Sequence, residues 1–264
     1  PTVVSFWPHP REVLFGESKL RLDLPNEKTF LLKPLGIEQL VLVPFNKTLA
    51  SQSAETFVKE ILVKTLHAKH IAVGENFRFG RNREGDITTL KKIGKLLGIK
   101  ISIVPILEDH HGRLSSSRIR KSLSDGDLKH AKYLLNRPYT FRGTVERGKG
   151  LGKKIGWPTA NLKIDGRKFL PSLGVYAAWA STSIQKDRFA AVMNLGPQPT
   201  IDPNSSSAVE VHVLDQEINL LGKELIIEPV QRIRLQKKFE SIEALRKQIS
   251  LDAKSAKEIL TNNL

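Results

Sequence analysis

Two periodicities divide the chain. In its first half, short aliphatic or β-branched runs alternate with segments whose apolar residues recur at helical spacing. Thr2–Phe6 reads as a strand closed by Pro8 and Pro10, and Leu40–Val43 as a second. Ser53 fits an N-cap for a helix carrying Phe57, Ile61 and Leu62, with Leu66 near its end. His70–Val73 predicts a strand, Thr88–Leu97 a helix stopped by Gly98, and Ile101–Val104 a further strand. Helical patches around Ser117–Leu123 and Asp127–Leu135 follow. This β-α-β-α-β rhythm predicts a parallel sheet covered by helices.

After Arg137-Pro138-Tyr139 the rhythm changes. Phe141–Glu146, Gly174–Ala180, Phe189–Met193, Val209–Leu214 and Glu224–Ile233 are strand-like and separated by Gly, Pro and Asn turns. Such a run predicts antiparallel strands in a small barrel or sandwich. It ends in one or two helices from Ser241, the second opened by a capping box of Ser255 and Glu258. The expected domains are residues 1–136 and 137–264.

Composition narrows the chemistry. The chain has 264 residues, 40% hydrophobic and 26% charged, and no cysteine. Disulfides, thiol nucleophiles and Cys-based metal sites are thereby excluded, and a reducing cytoplasm is the expected location. No apolar run approaches the roughly 20 residues that span a bilayer, so no membrane partner is expected. The net charge of +15 points to a phosphate-rich partner. Its division, +8 in residues 1–136 and +7 in 137–264, leaves no basic tail for nucleic acid. The chain opens at Pro1 within a strand, so the expectation is that an upstream segment is missing.

The densest chemical signal runs from Arg147 to Asn161. Gly148, Gly150, Gly152 and Gly156 permit sharp turns and close approach to a ligand, and Lys149, Lys153 and Lys154 add charge. Exposed N–H groups in such a loop form an anion nest. Thr159 and Asn161 offer hard oxygens suited to Mg²⁺ carried by a nucleotide's phosphates. A flexible basic hairpin is the plain alternative, and the spacing does not match a P-loop.

This stretch resembles the Gly-rich loop and Pro-Thr-Ala-Asn motif of riboflavin kinases. Gly174–Ala177, Ala191–Thr200, Val209–Asp215 and Arg234–Phe239 continue the likeness in order. The whole chain is similar to bacterial bifunctional riboflavin kinases fused to an FMN adenylyltransferase (FAD synthetase). The resemblance implies an incomplete Rossmann-like nucleotidyltransferase domain followed by a Greek-key β-barrel with a C-terminal helix. It also implies Mg²⁺, ATP as co-substrate, and riboflavin, FMN and FAD as substrate or product. Gly148, Gly150, Gly152 and Lys153 would then hold the kinase's ATP, and Thr159 and Asn161 the metal.

Alternation places Glu210, His212 and Leu214 on one strand face and three valines on the other. Spacing alone favours an ordinary amphipathic strand. The resemblance makes Glu210 the base for the flavin's ribityl 5′-hydroxyl and leaves His212 a structural role.

In the first half, Gly74–Asp86 is a Gly- and Arg-rich loop directly after a strand, where α/β sheets bind ligands. Phe77 and Phe79 suit stacking on a flat ring, or burial beneath a surface loop. By resemblance, Asn76, Phe77, Arg78 and Phe79 bind the adenylyltransferase's flavin, while Ser116, Ser117 and Arg120 of Leu114–Arg120 hold ATP phosphates at a helix start. His9, in Phe6–Arg11, would line the same nucleotide site, with a proline-stabilised turn as the equal alternative. His67, His70, His110 and His111 lack a third ligand at metal spacing and read as surface histidines.

Two departures qualify the likeness. A Gly-x-Phe-Asp-Gly-Val-His-x-Gly-His segment, whose histidines serve adenylyl transfer in such enzymes, does not occur in this chain. The expectation is therefore phosphorylation of riboflavin to FMN, with FAD formation belonging to the intact parent. Lys153 stands where arginine is usual, and Gln236 where glutamate is common. The rival readings are a basic single-stranded RNA-binding barrel and a kinase with a decayed first half. The expected partners are small molecules, with no nucleic acid.

Overall fold

The computed structural model describes residues 1–17, 21–148, 150–182, 188–196, 208–216 and 218–262. Lys149 and residues 197–200 of the second barrel motif lie outside that set, as does the side chain of Lys154. The chain divides into two compact units, Pro1–Ser18 with Thr29–Leu114, and Lys19–Lys28 with Ser115–Leu264.

In the first unit, β1 (Thr2–Trp7) and β2 (Gln39–Pro44) pair in parallel, as do β3 (His70–Gly74) and β4 (Lys100–Val104). The sequence rhythm predicts one sheet. Among the described residues, hydrogen bonding instead stops at each parallel pair, giving two two-stranded sheets. Helix α1 (Pro10–Phe15) follows β1, and α2 (Pro25–Leu32), which the apolar pattern did not announce, starts in the segment counted with the second unit and leads towards β2. After β2 come α3 (Lys47–Ala50) and α4 (Ala54–Thr56), the latter capped by the Ser53 side chain on Thr56 N–H and continuing as a π-helical stretch, Phe57–Thr65. Helix α5 (Ile87–Leu97) joins β3 to β4 and ends at Gly98, whose φ of 66° is the left-handed stop the sequence suggested. Ala54, Phe57, Val58, Leu62, Phe79, Leu90 and Ile93 form the buried core, with Phe6, Ile71, Val73 and Ile101 packed on it. A hairpin of β5 (Glu108–Asp109) and β6 (Gly112–Arg113) closes this unit.

The second unit opens with α6 (Ser116–Asp125) and α7 (Leu128–Leu135), then a closed barrel. Its strands are β7 (Phe141–Glu146), β8 (Ala160–Lys163), β9 (Gly174–Thr182), β10 (Arg188–Gly196), β11 (Ala208–Val213) and β12 (Glu224–Arg234). The order β10-β11-β8-β7-β12-β9 is antiparallel throughout. Strands β9, β10 and β11 meander and β8 lies beside β11, a Greek-key path. Strand β8 is the addition to the sequence reading, because its four residues sit in the stretch assigned to a ligand loop. Phe141, Val145, Leu162, Val209, Val211, Leu225 and Ile227 fill the interior.

A single C-terminal helix, α9 (Ile242–Thr261), corrects the prospect of a break at Ser255. Ser241 caps it by accepting from Ala244 N–H, and the Ser255/Glu258 pattern lies inside the unbroken helix. Apolar spacing continues across Ser255: Ala253, Ala256 and Leu260 pack with Ala177 and Leu214, and with Trp179, Ala190 and Val192, on the outside of the barrel.

The early segment counted with this unit is held by polar contacts. Lys168, whose side chain is fully buried, donates to Glu27 Oε2 at 2.7 Å, Leu22 O at 2.5 Å and Thr140 O at 2.9 Å. Arg137 grips both carboxylate oxygens of Asp23 at 2.9 Å, and buried Tyr139 donates to the Phe169 carbonyl.

Candidate functional site

The β7–β8 connection carries the glycine loop, and close packing explains its glycines. A Cβ at Gly148 would lie 2.7 Å from Asn161 Cγ, overlapping that amide. One at Gly152 would collide with the Trp157 carbonyl and stand 3.1 Å from Thr159 Oγ1. Gly150, at φ 67°, is the N-cap of the short helix α8 (Leu151–Lys154). Main-chain bonds from Ile155 and Trp157 N–H to Gly152 O, at 3.1 and 2.9 Å, fold the loop back onto the start of β8. The loop thus lies directly over Thr159 and Asn161, both of which the sequence had singled out. Lys153 is exposed on it.

Antiparallel register then brings in Glu210. It sits opposite Asn161 of β8 on one side and Asn194 of β10 on the other. Val209, Val211 and Val213 are buried inside the barrel, so Glu210 and His212 face outward, as period-2 alternation requires. His212 Nδ1 lies 2.6 Å from the Pro158 carbonyl. A carbonyl only accepts, so Nδ1 carries the proton. With its ring edge-on to Trp157 at 5.0 Å, His212 pins the end of the glycine loop.

The 235–239 segment closes the same face. Gln236 Nε2 donates to Asn194 Oδ1 at 2.6 Å and to Leu195 O at 3.2 Å. Arg234 is clamped by Asp252 of α9, through Nε at 3.0 Å to both carboxylate oxygens and Nη2 at 2.8 Å to Oδ2. Gln248 adds a bond to Asp252 at 2.9 Å, and Arg234 lies 5.5 Å from the Phe239 ring centroid. Sequence reading gave Asn194 no role of its own within the Ala191–Thr200 motif and missed Asp252, for which the one hint was a carboxylate on an otherwise apolar helix face.

In the first unit, His9 caps α1, its Nδ1 accepting from Arg11 N–H at 3.1 Å. In the loop after β3, Asn76 and Arg78 are exposed. Phe79 is a core residue, 6.2 Å from Phe57, and Phe77 stacks over it at 5.2 Å with the rings 14° apart. Gly80 and Gly85 both press on Ala54, and Glu84 Oε1 accepts from Ala54 N–H at 2.9 Å, tying this loop to the start of α4. Asp86 caps α5; bonds from the Thr89 N–H and hydroxyl, with Arg78 3.6 Å away, lower its pKa below the usual 3.8. In the second unit, Ser115 caps α6, Ser116 and Ser117 are exposed in its first turn, and Arg120 donates to Ser117 Oγ at 3.3 Å. Among the described residues no group of three or more His, Asp or Glu could hold a metal ion by itself. None of the described helices is long and apolar enough to cross a membrane.

A glycine loop packed on Thr159 and Asn161, with Glu210 in register with Asn161, suits an ATP-dependent transferase, the class to which the chain's relatives belong. The comparisons make that specific. The riboflavin kinase family model matches residues 135–260, and the FAD synthetase model residues 1–118. The bifunctional riboflavin kinase/FMN adenylyltransferase of Escherichia coli K12 is 35% identical over 258 residues, covering 97% of this chain and 81% of that protein. The Haemophilus influenzae enzyme is 34% identical over 262 residues, with coverages of 97% and 82%. A crystal structure described as a macrolide-efflux protein from Streptococcus pneumoniae superposes with a TM-score of 0.82 at 30% identity, covering 97% of this chain and 83% of that one. The chain belongs to the bifunctional riboflavin kinase/FMN adenylyltransferase family, for which riboflavin, FMN, FAD and ATP are substrates or products.

Proposed function

We propose that the barrel unit transfers the γ-phosphoryl group of ATP to the 5′-hydroxyl of riboflavin, with Glu210 as the general base. The observation that carries this reading is the placement of Glu210 on the outer barrel face in register with Asn161, the residue on which Gly148 of the loop packs. A carboxylate there accepts the hydroxyl's proton as the oxygen attacks. Backbone N–H groups of the loop and Lys153 would receive the phosphates, since glycine lets the main chain approach them closely.

The donor set suits Mg²⁺. Thr159 and Asn161 bring neutral, hard oxygens, and the packing of Gly148 on Asn161 keeps that amide beside the phosphate loop. When bound, the cation would neutralise charge on the transferring phosphoryl group. The few protein ligands fit an ion that arrives with ATP and keeps several waters.

The reading assigns adenylyl transfer from a second ATP to FMN, giving FAD and pyrophosphate, to the α/β half. Asn76, Phe77, Arg78 and Phe79 would serve the flavin, with Phe79 acting from the core as the support on which Phe77 lies. His9 of the same unit suits the nucleotide; in the second unit, Ser116 and Ser117 in the first turn of α6, with Arg120 one turn on, suit phosphates. Substrates of this kind make small molecules, not nucleic acid, the partners of the basic surface.

Glu210→Gln tests the kinase assignment. FMN formation from riboflavin and MgATP should fall by roughly 10²-fold or more, with ATP affinity retained, on the scale of general-base contributions. Unchanged turnover would remove Glu210 from the role.

A further inference from the structure

Asn194 stands directly across from Glu210 in antiparallel register. Directly opposed residues on one sheet face bring their Cβ atoms to about 4.5–5.5 Å. The direction in which the Asn194 amide points therefore bears on the carboxylate. The structure shows what sets that direction.

Gln236 Nε2 meets two acceptors, Asn194 Oδ1 at 2.6 Å and the Leu195 carbonyl at 3.2 Å. The Leu195 carbonyl is the informative one, because a main-chain oxygen can only accept. It obliges Gln236 to present its NH₂ group. That NH₂ in turn obliges Asn194 to present Oδ1, which leaves the Asn194 NH₂ as the remaining polar group of that amide. An amide whose orientation is ordinarily ambiguous is thus settled by a chain of forced donors and acceptors.

The backbone also makes room for this arrangement. A Cβ at Gly196 would lie 3.0 Å from Gln236 Nε2 and 3.3 Å from its Cδ and Cγ, so the glutamine stem lies flat on Gly196. The φ of 144° at Gly196 is a conformation that side-chain-bearing residues rarely adopt. Glycine at 196 therefore does two things, shaping the end of β10 and seating Gln236. Two residues before Gln236, the Arg234–Asp252 clamp fixes where the segment leaves the barrel.

We propose that Gln236 is a positioning residue for phosphoryl transfer: seated on Gly196 and oriented by the Leu195 carbonyl, it holds Asn194 so that its NH₂ group, not its oxygen, is offered on the face occupied by the Glu210 carboxylate. A donor there stabilises the ionised, proton-accepting form and fixes its position; an amide oxygen in its place would repel it. The inference rests on the reading of Glu210 as base.

The test uses the full chain with riboflavin and MgATP, comparing Gln236→Leu, Gln236→Met, Glu210→Gln and the double variant Gln236→Leu/Glu210→Gln. Gln236→Met keeps an unbranched stem on Gly196 but has no donor, so it covers the case in which the branched leucine disturbs the fold. Each single change at 236 should lower kcat for FMN formation by about 10-fold, the scale of a misplaced catalytic group, with KM for ATP changed by less than about 2-fold. In the Glu210→Gln background, Gln236→Leu should alter kcat by less than about 2-fold, because residues acting through one another are not additive. Wild-type kcat in both 236 variants overturns the proposal, as does a full additional loss in the double variant. If Glu210→Gln itself leaves kcat unchanged, the base assignment falls and the proposal with it. If Glu210→Gln is impaired while the 236 variants are not, the base assignment stands and the positioning role alone is lost.

Discussion

Replacing Lys168 with methionine should be among the most destabilising single changes in the second unit. The ammonium sits in a side chain with no exposure and makes three hydrogen bonds, to Glu27, Leu22 O and Thr140 O. It also lies 4.8 Å from the Tyr139 ring centroid. Methionine preserves much of the volume, so the loss is electrostatic. Glu27 would keep its bond from Leu24 N–H at 2.7 Å, but its other oxygen, Oε1, is buried with no hydrogen-bond partner among the described residues. Stranding a buried charge in this way costs about 3–5 kcal/mol. For a unit of this size that corresponds to a fall in melting temperature of roughly 6–20 °C. Removing both charges, as Glu27→Met/Lys168→Met, should restore part of that loss, because the remaining penalty falls on neutral main-chain groups, the Leu24 N–H and the Thr140 carbonyl, and not on a naked carboxylate. Calorimetric and urea unfolding of the two single variants and the double variant provide the cycle. A Lys168→Met protein within about 1 kcal/mol of wild type, or strict additivity in the cycle, would refute the reasoning, since contacting buried charges must couple. Burial lowers the Lys168 pKa from 10.5, with Glu27 opposing the shift. Between the folded pKa and 10.5 the unfolded chain binds more protons, so this group's contribution to stability rises with pH. Tyr139 acts in the opposite sense: burial, with the Glu27 charge, raises its pKa well above 10.0, so its contribution declines once the unfolded tyrosine ionises.

Two further outcomes follow from the site and its supports. Gly148→Ala should force the Asn161 amide out of its place and reduce FMN formation by roughly 10-fold or more, read in steady-state kinetics with ATP varied, on the scale of a small displacement at a reacting centre; normal kinetics would show that Asn161 tolerates the shift. Asp86 holds the start of α5, and its lowered pKa means that the stabilisation is complete above 3.8 and is lost as pH falls through the lower folded value. Amide exchange in the first turn of α5 should accelerate selectively over that acid window, and Asp86→Ala should abolish the pH dependence; equal acceleration across all helices would point to a global cause.

Local signals were legible where one segment decides its own structure. Gly98 and Ser53 marked a helix end and a helix start because caps act within a turn, and the alternation around Glu210 told which residues face out of the barrel. The Glu210–Asn161 pairing followed less directly: it needs β8, a four-residue strand that its motif disguised as loop. Gln236 and Asn194 are 42 residues apart, and their contact depends on β12 and β10 reaching the same end of the barrel. No periodicity reports such a meeting. Phe79 shows the converse: an aromatic in a glycine-rich loop is equally suited to a ligand or a core, and only the approach of Phe57 and Ala54 identifies it as core.

The route of the chain through its two units has a consequence for how such a molecule can be assembled and divided. It contributes residues 19–28 to the barrel unit, departs for the whole of residues 29–114, and returns at Ser115. A ribosome therefore releases Glu27 long before Lys168, 141 residues later, exists to receive it. The early segment must wait through the synthesis of almost the entire first unit before its own closes. A single scission, in the laboratory or in a gene's history, cannot yield both units with all their residues. A self-sufficient barrel would need its first ten residues rejoined ahead of Ser115.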